Sequence, residues 1–166
     1  MGPADEEIHS ERQWLAFEIN RTRYALPIDS ILEIEEPGRE ARCIPGVSMG
    51  MVAVVNWHGS ALPVVASDLL VASESEWATF EAAMLPDIPT RWSEAHVLVL
   101  SERDDEMPRL GLPVDRVLGL LDTSPIDCAQ DRFDQGSYGD GEVAPRGLCP
   151  NELWNRATRL VERACA

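Results

Sequence analysis

Short runs that alternate between apolar and polar residues predict that most of this chain forms β-strands. Residues 14–27 predict a hairpin, because strand-forming residues flank a polar turn. Residues 51–65 predict a second hairpin, in which an apolar strand turns at 58–60 and returns through further apolar residues. Frequent glycine and proline residues between these runs indicate many short strands.

Other segments are less clear from their pattern alone. The segment 29–35 fits either a short helical turn leading into a strand or a strand throughout. Residues 95–100 predict a strand, and residues 110–121 predict a longer strand-like segment with bends or bulges at Gly111 and Gly119.

Two segments predict helices. Residues near 74–84 carry apolar side chains three and four positions apart, which favours a short amphipathic helix within an insertion at 71–94. Residues 150–166 place their apolar side chains on one face of a helix. We therefore predict an acidic tail at 1–13, a mainly β domain at 14–149 and a C-terminal amphipathic helix. Many short strands with one closing helix favour small barrels over a parallel βαβ sheet.

Charge and composition exclude several classes of function. The chain has 166 residues, with 14 basic and 29 acidic side chains, for a net charge of −15. Such a charge repels phosphate backbones and anionic lipids, so we expect neither nucleic-acid binding nor direct membrane insertion. The sequence contains no lysine. This excludes P-loop nucleotide hydrolysis, protein-kinase catalysis and Schiff-base chemistry, which need a lysine amine.

No targeting or ligand-binding motif changes this picture. The N-terminal segment lacks the apolar core of a secretory signal, and no apolar run approaches the length of a membrane span. We expect a cytoplasmic protein whose four cysteines, Cys43, Cys128, Cys149 and Cys165, remain free thiols. Their spacing contains no C-x-x-C pair, so we predict neither a metal site nor a cofactor.

One motif raises the alternative of an enzyme. Residues 46–50 match the G-x-S-x-G pattern of a hydrolase nucleophile, with Ser48 at its centre. That motif requires a strand before the serine and a helix after it, whereas Pro45 precedes this one and a strand is predicted to follow. We therefore expect no catalytic residues, and the serine hydrolase remains the weaker alternative.

Several motifs in order resemble the CheW-like domain family. The matching segments are Y-A-L-P-I at 24–28, I-L-E-I at 31–34, I-P-G at 44–46, V-V-N-W-H-G-S-A-L-P-V-V at 54–65 and G-L-P-V-D-R-V-L-G at 111–119. Their order and spacing agree with the family pattern over roughly residues 14–122.

The resemblance implies a fold and a function. The fold would be two intertwined, five-stranded, SH3-like β-barrels with an apolar core between them. The function would be that of a non-catalytic adaptor, which couples the cytoplasmic tip of chemoreceptors to the regulatory domain of a CheA-type histidine kinase. Such adaptors serve flagellar chemotaxis or type IV pilus motility. An orphan protein-binding module of another regulatory pathway is the alternative.

The resemblance also implies which residues contact partners. By family position these are Ile31, Glu33, Ala53, Asn56, His58 and Gly59. Structural roles are open for three of them: Ile31 as a core residue, Asn56 as a turn cap and Gly59 as a turn glycine. Pro63, Gly111 and Asp115 belong to the structural motifs, and Asp115 fits a side-chain-to-backbone hydrogen bond.

The sequence departs from the family pattern at His58. The family carries arginine at this position, and histidine is shorter and not permanently charged. We therefore expect a divergent adaptor with a specialised partner.

Overall fold

The computed structural model of the protein describes residues 13–38, 41–43, 52–72, 76–77, 94–101, 107–121, 137–138 and 142–164. The strands are β1 (Trp14–Ile19), β2 (Thr22–Pro27), β3 (Ile31–Glu35), β4 (Ala41–Cys43), β5 (Val52–Trp57), β6 (Ser60–Val65), β7 (His96–Ser101), β8 (Pro108–Val114), β9 (Arg116–Leu121), β10 (Ser137–Tyr138), β11 (Glu142–Val143) and β12 (Arg146–Gly147). The helices are a 3₁₀ turn at Ile28–Ser30, α1 (Ser67–Val71) and α2 (Pro150–Ala164).

The first sheet has four strands in the order β12-β2-β1-β9. A two-residue turn joins β1 to β2, and both of its residues, Asn20 and Arg21, have positive φ angles of 49° and 65°. This conformation matches the twist of a tight hairpin. Strand β9 pairs antiparallel with β1, and β12 pairs parallel with β2.

The second sheet has six strands in the order β3-β7-β8-β6-β5-β4, so β3 lies at one edge. The β5–β6 hairpin pairs antiparallel from Val52–Val65 to Trp57–Ser60. Strand β6 meets β8 in parallel where Val64 lies opposite Gly111. Strands β10 and β11 form a separate two-stranded ribbon.

Both large sheets and helix α2 contribute to one apolar core. Burial on this scale supplies most of the favourable free energy of folding. The helix inserts Leu153, Ala157 and Leu160, which are four and three positions apart and so share one face. The largest fully buried side chains are Phe17, Ile19, Leu26, Leu62, Leu69, Leu70, Leu98, Leu100, Leu112 and Leu160, with Val64 and Val65.

Helix α1 is held by contacts outside itself. It has five residues and no side-chain hydrogen bond at its N-cap, so its local signal is weak. Leu69 and Leu70 are buried, and the indole Nε1 of buried Trp77 donates to the Leu69 carbonyl at 2.8 Å. Arg156 of α2 donates from Nη1 to the carbonyls of Leu70 (2.8 Å) and Ala72 (2.7 Å). The sequence pattern did not predict this helix.

The predicted hairpins at 14–27 and 51–65 are both present, with tighter turns than predicted. The sequence pattern does not decide the secondary structure of the segment 29–35. In the structure this segment contains the 3₁₀ turn followed by β3. The prediction of a mainly β fold with a C-terminal helix is confirmed. The described strands divide four and six between the large sheets, and closure into two five-stranded barrels stays a prediction.

The segment 110–121 differs from its prediction. It is two strands separated at Asp115, because β8 pairs with β7 whereas β9 pairs with β1. Gly119 lies at a bulge, where Leu118 is inserted between the pairs Ala16–Gly119 and Phe17–Val117. Gly111 is not a bulge, since it keeps regular register with β7.

The predicted insertion at 71–94 lies largely outside the described residues. Of the helix predicted near 74–84, Glu76 and Trp77 are described, and both are helical. The domain boundaries at 13, 149 and 150 stay predictions. Each helix among the described residues is too short or too polar to span a lipid bilayer.

Candidate functional site

The β5–β6 turn carries His58 at the end of two strands of the second sheet. His58 and Gly59 form its two-residue loop, with φ angles of 47° and 84°. Histidine is among the few residues besides glycine that adopt this left-handed conformation with some frequency. The side-chain Oδ1 of Asn56 accepts a hydrogen bond from the Gly59 amide at 2.9 Å, which fixes the turn. The backbone of His58 is therefore preset before any ligand or partner arrives.

Glu33 of β3 contacts this turn, although β7 and β8 lie between β3 and the hairpin in the order of the sheet. Its Oε2 accepts a hydrogen bond from the Trp57 indole Nε1 at 3.0 Å and contacts His58 Nε2 at 2.9 Å. The His58 nitrogen donates in this contact when it carries its proton. The Trp57 and His58 rings stand edge to face, with centroids 4.7 Å apart. Strand β3 and the hairpin are thus linked through one carboxylate oxygen.

A second carboxylate lies beside this pair. Glu35 is two residues beyond Glu33 on β3, which places both side chains on the same face of the strand. Glu35 is 7% exposed, whereas the side chains of Glu33 and His58 are 39% and 59% exposed. One ligand atom from each of the three side chains lies within 4.8 Å of the others. We call these three residues the Glu33–Glu35–His58 cluster.

The other residues that the resemblance implied as contacts differ in exposure and in role. Ile31 begins β3 and packs in part against the core. Ala53 is 2% exposed, so its side chain offers no surface to a partner. Asn56 and Gly59 shape the turn that presents His58.

The structural-motif residues occupy three different positions. Pro63 lies within β6 opposite Val54, and Gly111 lies within β8. Asp115 connects two turns, since its Oδ2 accepts from the Asn20 amide at 2.6 Å and its amide donates to the Glu18 carbonyl at 2.9 Å. Asp115 therefore ties the β1–β2 turn to the β8–β9 junction.

Sequence reasoning missed Glu35 and the polar role of Trp57. The signal for Glu35 was present, because Glu33-x-Glu35 on a strand puts two carboxylates on one face. The contact with Trp57 had no such signal, because it depends on how β3 and the hairpin meet in the folded sheet.

Ser48, the nucleophile of the hydrolase alternative, lies in the segment 44–51, which is outside the described residues. Within the described ranges, His58 and His96 each lie beside a glutamate; His96 Nε2 is 3.5 Å from Glu36 Oε2. Labelling by an activity-based serine probe would test Ser48 directly.

Comparison with known proteins identifies the class of the chain. A family model described as the CheW-like domain matches residues 13–140, well over half of the sequence. The chain belongs to the CheW-like domain family. This membership supports an adaptor-type function in chemotaxis signalling.

Among solved structures, the chain is similar to the scaffolding protein TtCheW from Thermoanaerobacter tengcongensis. The two are 14% identical with a TM-score of 0.44, over 66% of this chain and 64% of that chain. The match thus spans less than two thirds of that protein. No curated protein matches the sequence.

Proposed function

We propose that this protein is a non-catalytic adaptor that couples chemoreceptor cytoplasmic tips to the regulatory domain of a CheA-type histidine kinase. The observation that carries the proposal is the family match over residues 13–140. An adaptor needs rigid surfaces that recognise two partners at once, and it needs no reacting group. Signalling would then be a change in the relative geometry of the bound proteins.

The edge of the second sheet supplies a suitable surface for one partner. On β3, Leu32 and Ile34 are 37% and 39% exposed, and they alternate with Glu33 and Glu35. Because alternate residues of a strand point to opposite faces, this edge strand presents fixed polar groups on one side and exposed apolar side chains on the other, and both kinds of group occur in protein interfaces. The hairpin adds His58 next to Glu33. We propose that a partner reaching around this edge strand contacts Glu33 and His58 on one face of β3 and the exposed apolar residues on the other.

The roles of the other predicted contacts differ. Asn56 and Gly59 would act through the shape of the turn, and Ile31 through support of β3 from the core side. Ala53 is not included in the proposed surface because it is buried.

Binding measurements with purified proteins test the proposal. The full chain should bind the regulatory domain of a histidine kinase from the same genome with a Kd in the micromolar range or tighter, roughly −8 kcal/mol or more favourable. A receptor cytoplasmic fragment should bind separately or in a ternary complex. Failure to bind every such kinase and receptor fragment would overturn the adaptor proposal.

Variants of the surface locate the contact. Glu33→Gln and His58→Asn should each weaken one partner by about tenfold, or about 1.4 kcal/mol. Asparagine suits position 58 because it tolerates the positive φ. His96→Gln alters the other described histidine–glutamate pair and should leave affinity unchanged. Equal affinities for all four proteins would remove this surface from the proposal.

Substitution of the family residue tests the departure at position 58. If His58 occupies the place of the family arginine, His58→Arg should retain or strengthen partner binding, since arginine can also pair with Glu33. A large loss would indicate a partner that recognises the histidine itself.

The orphan-module alternative places binding in the segment 73–94. Trp77 of this segment is 3% exposed in the core, so removing the whole segment would also damage the fold. A deletion of 78–93 keeps Trp77. Unchanged kinase and receptor binding after this deletion would argue against the alternative.

A further inference from the structure

The Glu33–Glu35–His58 cluster has the composition of a metal site. Two carboxylates and one imidazole converge from two elements, with their ligand atoms within 4.8 Å of one another. Ligand atoms bound to one ion at about 2.1 Å lie roughly 3.0–3.4 Å apart. The contact between Glu33 Oε2 and His58 Nε2, at 2.9 Å, is slightly shorter than this spacing. Small rotations of side chains would bring the third ligand into place.

Charge and burial favour a cation at this position. Glu35 is 7% exposed, so an ion bound to its carboxylate would be largely shielded from water, and charge–charge attraction is stronger away from water. A second carboxylate beside it adds like-charge repulsion. With a neutral imidazole, the ligand set carries two negative charges, which a divalent ion neutralises. The net charge of −15 on the chain further attracts cations.

The surrounding residues hold the ligands in fixed orientations. The Trp57 indole donates to Glu33 Oε2, which restricts rotation of that carboxylate. The turn hydrogen bond between Gly59 and Asn56 restricts the backbone that carries His58. Outer partners of this kind orient the first ligands of metal sites and raise affinity.

We propose that Glu33, Glu35 and His58 form a site for a divalent transition-metal ion of the Zn²⁺ type. The imidazole ligand disfavours Ca²⁺ and Mg²⁺, which prefer oxygen ligands throughout. Zn²⁺ accepts mixed nitrogen and carboxylate ligands at three protein positions and leaves further positions to water. The side chains of Glu33 and His58 are partly exposed, so an ion can reach the site from solvent. An ion here would join β3 to the β5–β6 hairpin independently of any adaptor function.

Calorimetric titration of the metal-free, tag-free full chain with ZnCl₂ tests the site. One ion per chain should bind with a Kd of about 10 μM or tighter. Glu35→Gln and His58→Asn should each raise this Kd at least tenfold, while His96→Gln should leave it unchanged. Binding weaker than about 1 mM, or binding that none of the ligand substitutions alters, would overturn the proposal.

Two spectroscopic measurements identify the ligands of the bound ion. Titration with CoCl₂ should give the weak visible absorption of nitrogen and oxygen ligands; intense thiolate charge-transfer bands would assign the binding to cysteines and refute the site. Because Glu35→Gln alters a buried residue, NMR of the wild-type chain provides a test without mutation. Zn²⁺ should shift the ring signals of His58 and not those of His96, and the opposite pattern would refute the proposal. Partner binding measured with a chelator present keeps the adaptor function separate.

Discussion

A methyl group added at Gly111 should destabilise the protein by overpacking the contact between β6 and β8. A Cβ built at this glycine would lie 2.9 Å from Val64 Cγ2, 3.0 Å from Val97 Cγ1 and 3.2 Å from Leu62 Cδ2. Favourable carbon–carbon contacts lie at about 3.5–4.0 Å, so all three neighbours would have to retreat. They are at most 4% exposed, which leaves little room to do so.

The expected magnitude follows from two opposing effects. Overpacking of a close-packed core typically costs about 1–3 kcal/mol, and three neighbours at short range place Gly111→Ala near the top of this interval. Alanine also lowers the entropy of the unfolded chain, which offsets about 0.4–1 kcal/mol. We therefore expect a net loss of about 2 kcal/mol. For a chain of this length, that lowers Tm by roughly 4–8 °C.

Urea denaturation followed by circular dichroism measures the loss, and a second substitution identifies its cause. Val64→Ala removes the nearest methyl group and should itself cost about 2 kcal/mol. The double variant should be about 1–2 kcal/mol more stable than the sum of the single effects, because the new methyl occupies vacated space. Gly119→Ala is the control. A Cβ built at Gly119 meets no atom within 4 Å, so the substitution lowers stability through backbone strain at a φ of 120°. Val64→Ala should therefore not rescue it. A Gly111→Ala variant as stable as the wild type, or strict additivity with Val64→Ala, would refute the reasoning.

Three further predictions concern hydrogen bonds and ionisation. Arg156→Ala should lower the free energy of unfolding by about 2–3 kcal/mol in urea denaturation, because two carbonyls lose a charged donor. Thr158→Ala on the same helix should change the free energy of unfolding by less than about 0.5 kcal/mol. Equal effects of the two substitutions would contradict this prediction. Asp115→Ala should cost about 1 kcal/mol and Asp115→Asn less, since asparagine keeps an acceptor for the turn amide; a larger loss for asparagine would contradict the assignment. Burial raises the pKa of the Tyr24 hydroxyl above its ordinary value of 10.0, so the folded state keeps this proton after the unfolded chain has released it. Stability attributable to this group is therefore complete below pH 10.0 and falls as the pH rises through the folded pKa, and Tyr24→Phe should flatten this alkaline decline in urea midpoints; an identical decline in both proteins would refute the effect.

The local elements could be predicted from the sequence because their signals lie within a few residues. The hairpin at 51–65 combines an apolar run with His58–Gly59, residues that accept positive φ, so strand and turn agree. Helix α1 could not be predicted in this way, since Arg156 and Trp77 stabilise it from outside. Its five residues carry too little periodicity of their own.

The division of 110–121 shows a second limit. Apolar residues continue through both β8 and β9, so the pattern gives one segment. The break at Asp115 arises because the two halves pair with different sheets, and the partner strands are far away in the sequence. The candidate site has a similar limit. Glu33 and His58 could be named from the family resemblance and Glu35 from its spacing to Glu33, whereas the contact of Glu33 with Trp57 and His58 depends on how the folded sheet brings β3 and the hairpin together.

The N-terminal hairpin obtains both of its neighbouring strands from the far end of the chain. Strand β9 covers one edge and β12 the other, each on the order of a hundred residues after its partner in the sequence. During synthesis both edges of this hairpin therefore stay unpaired until on the order of a hundred further residues have been added. Closing such long loops is slow and leaves unpaired backbone exposed to other nascent chains. Productive folding should thus be sensitive to the concentration of other copies of the chain.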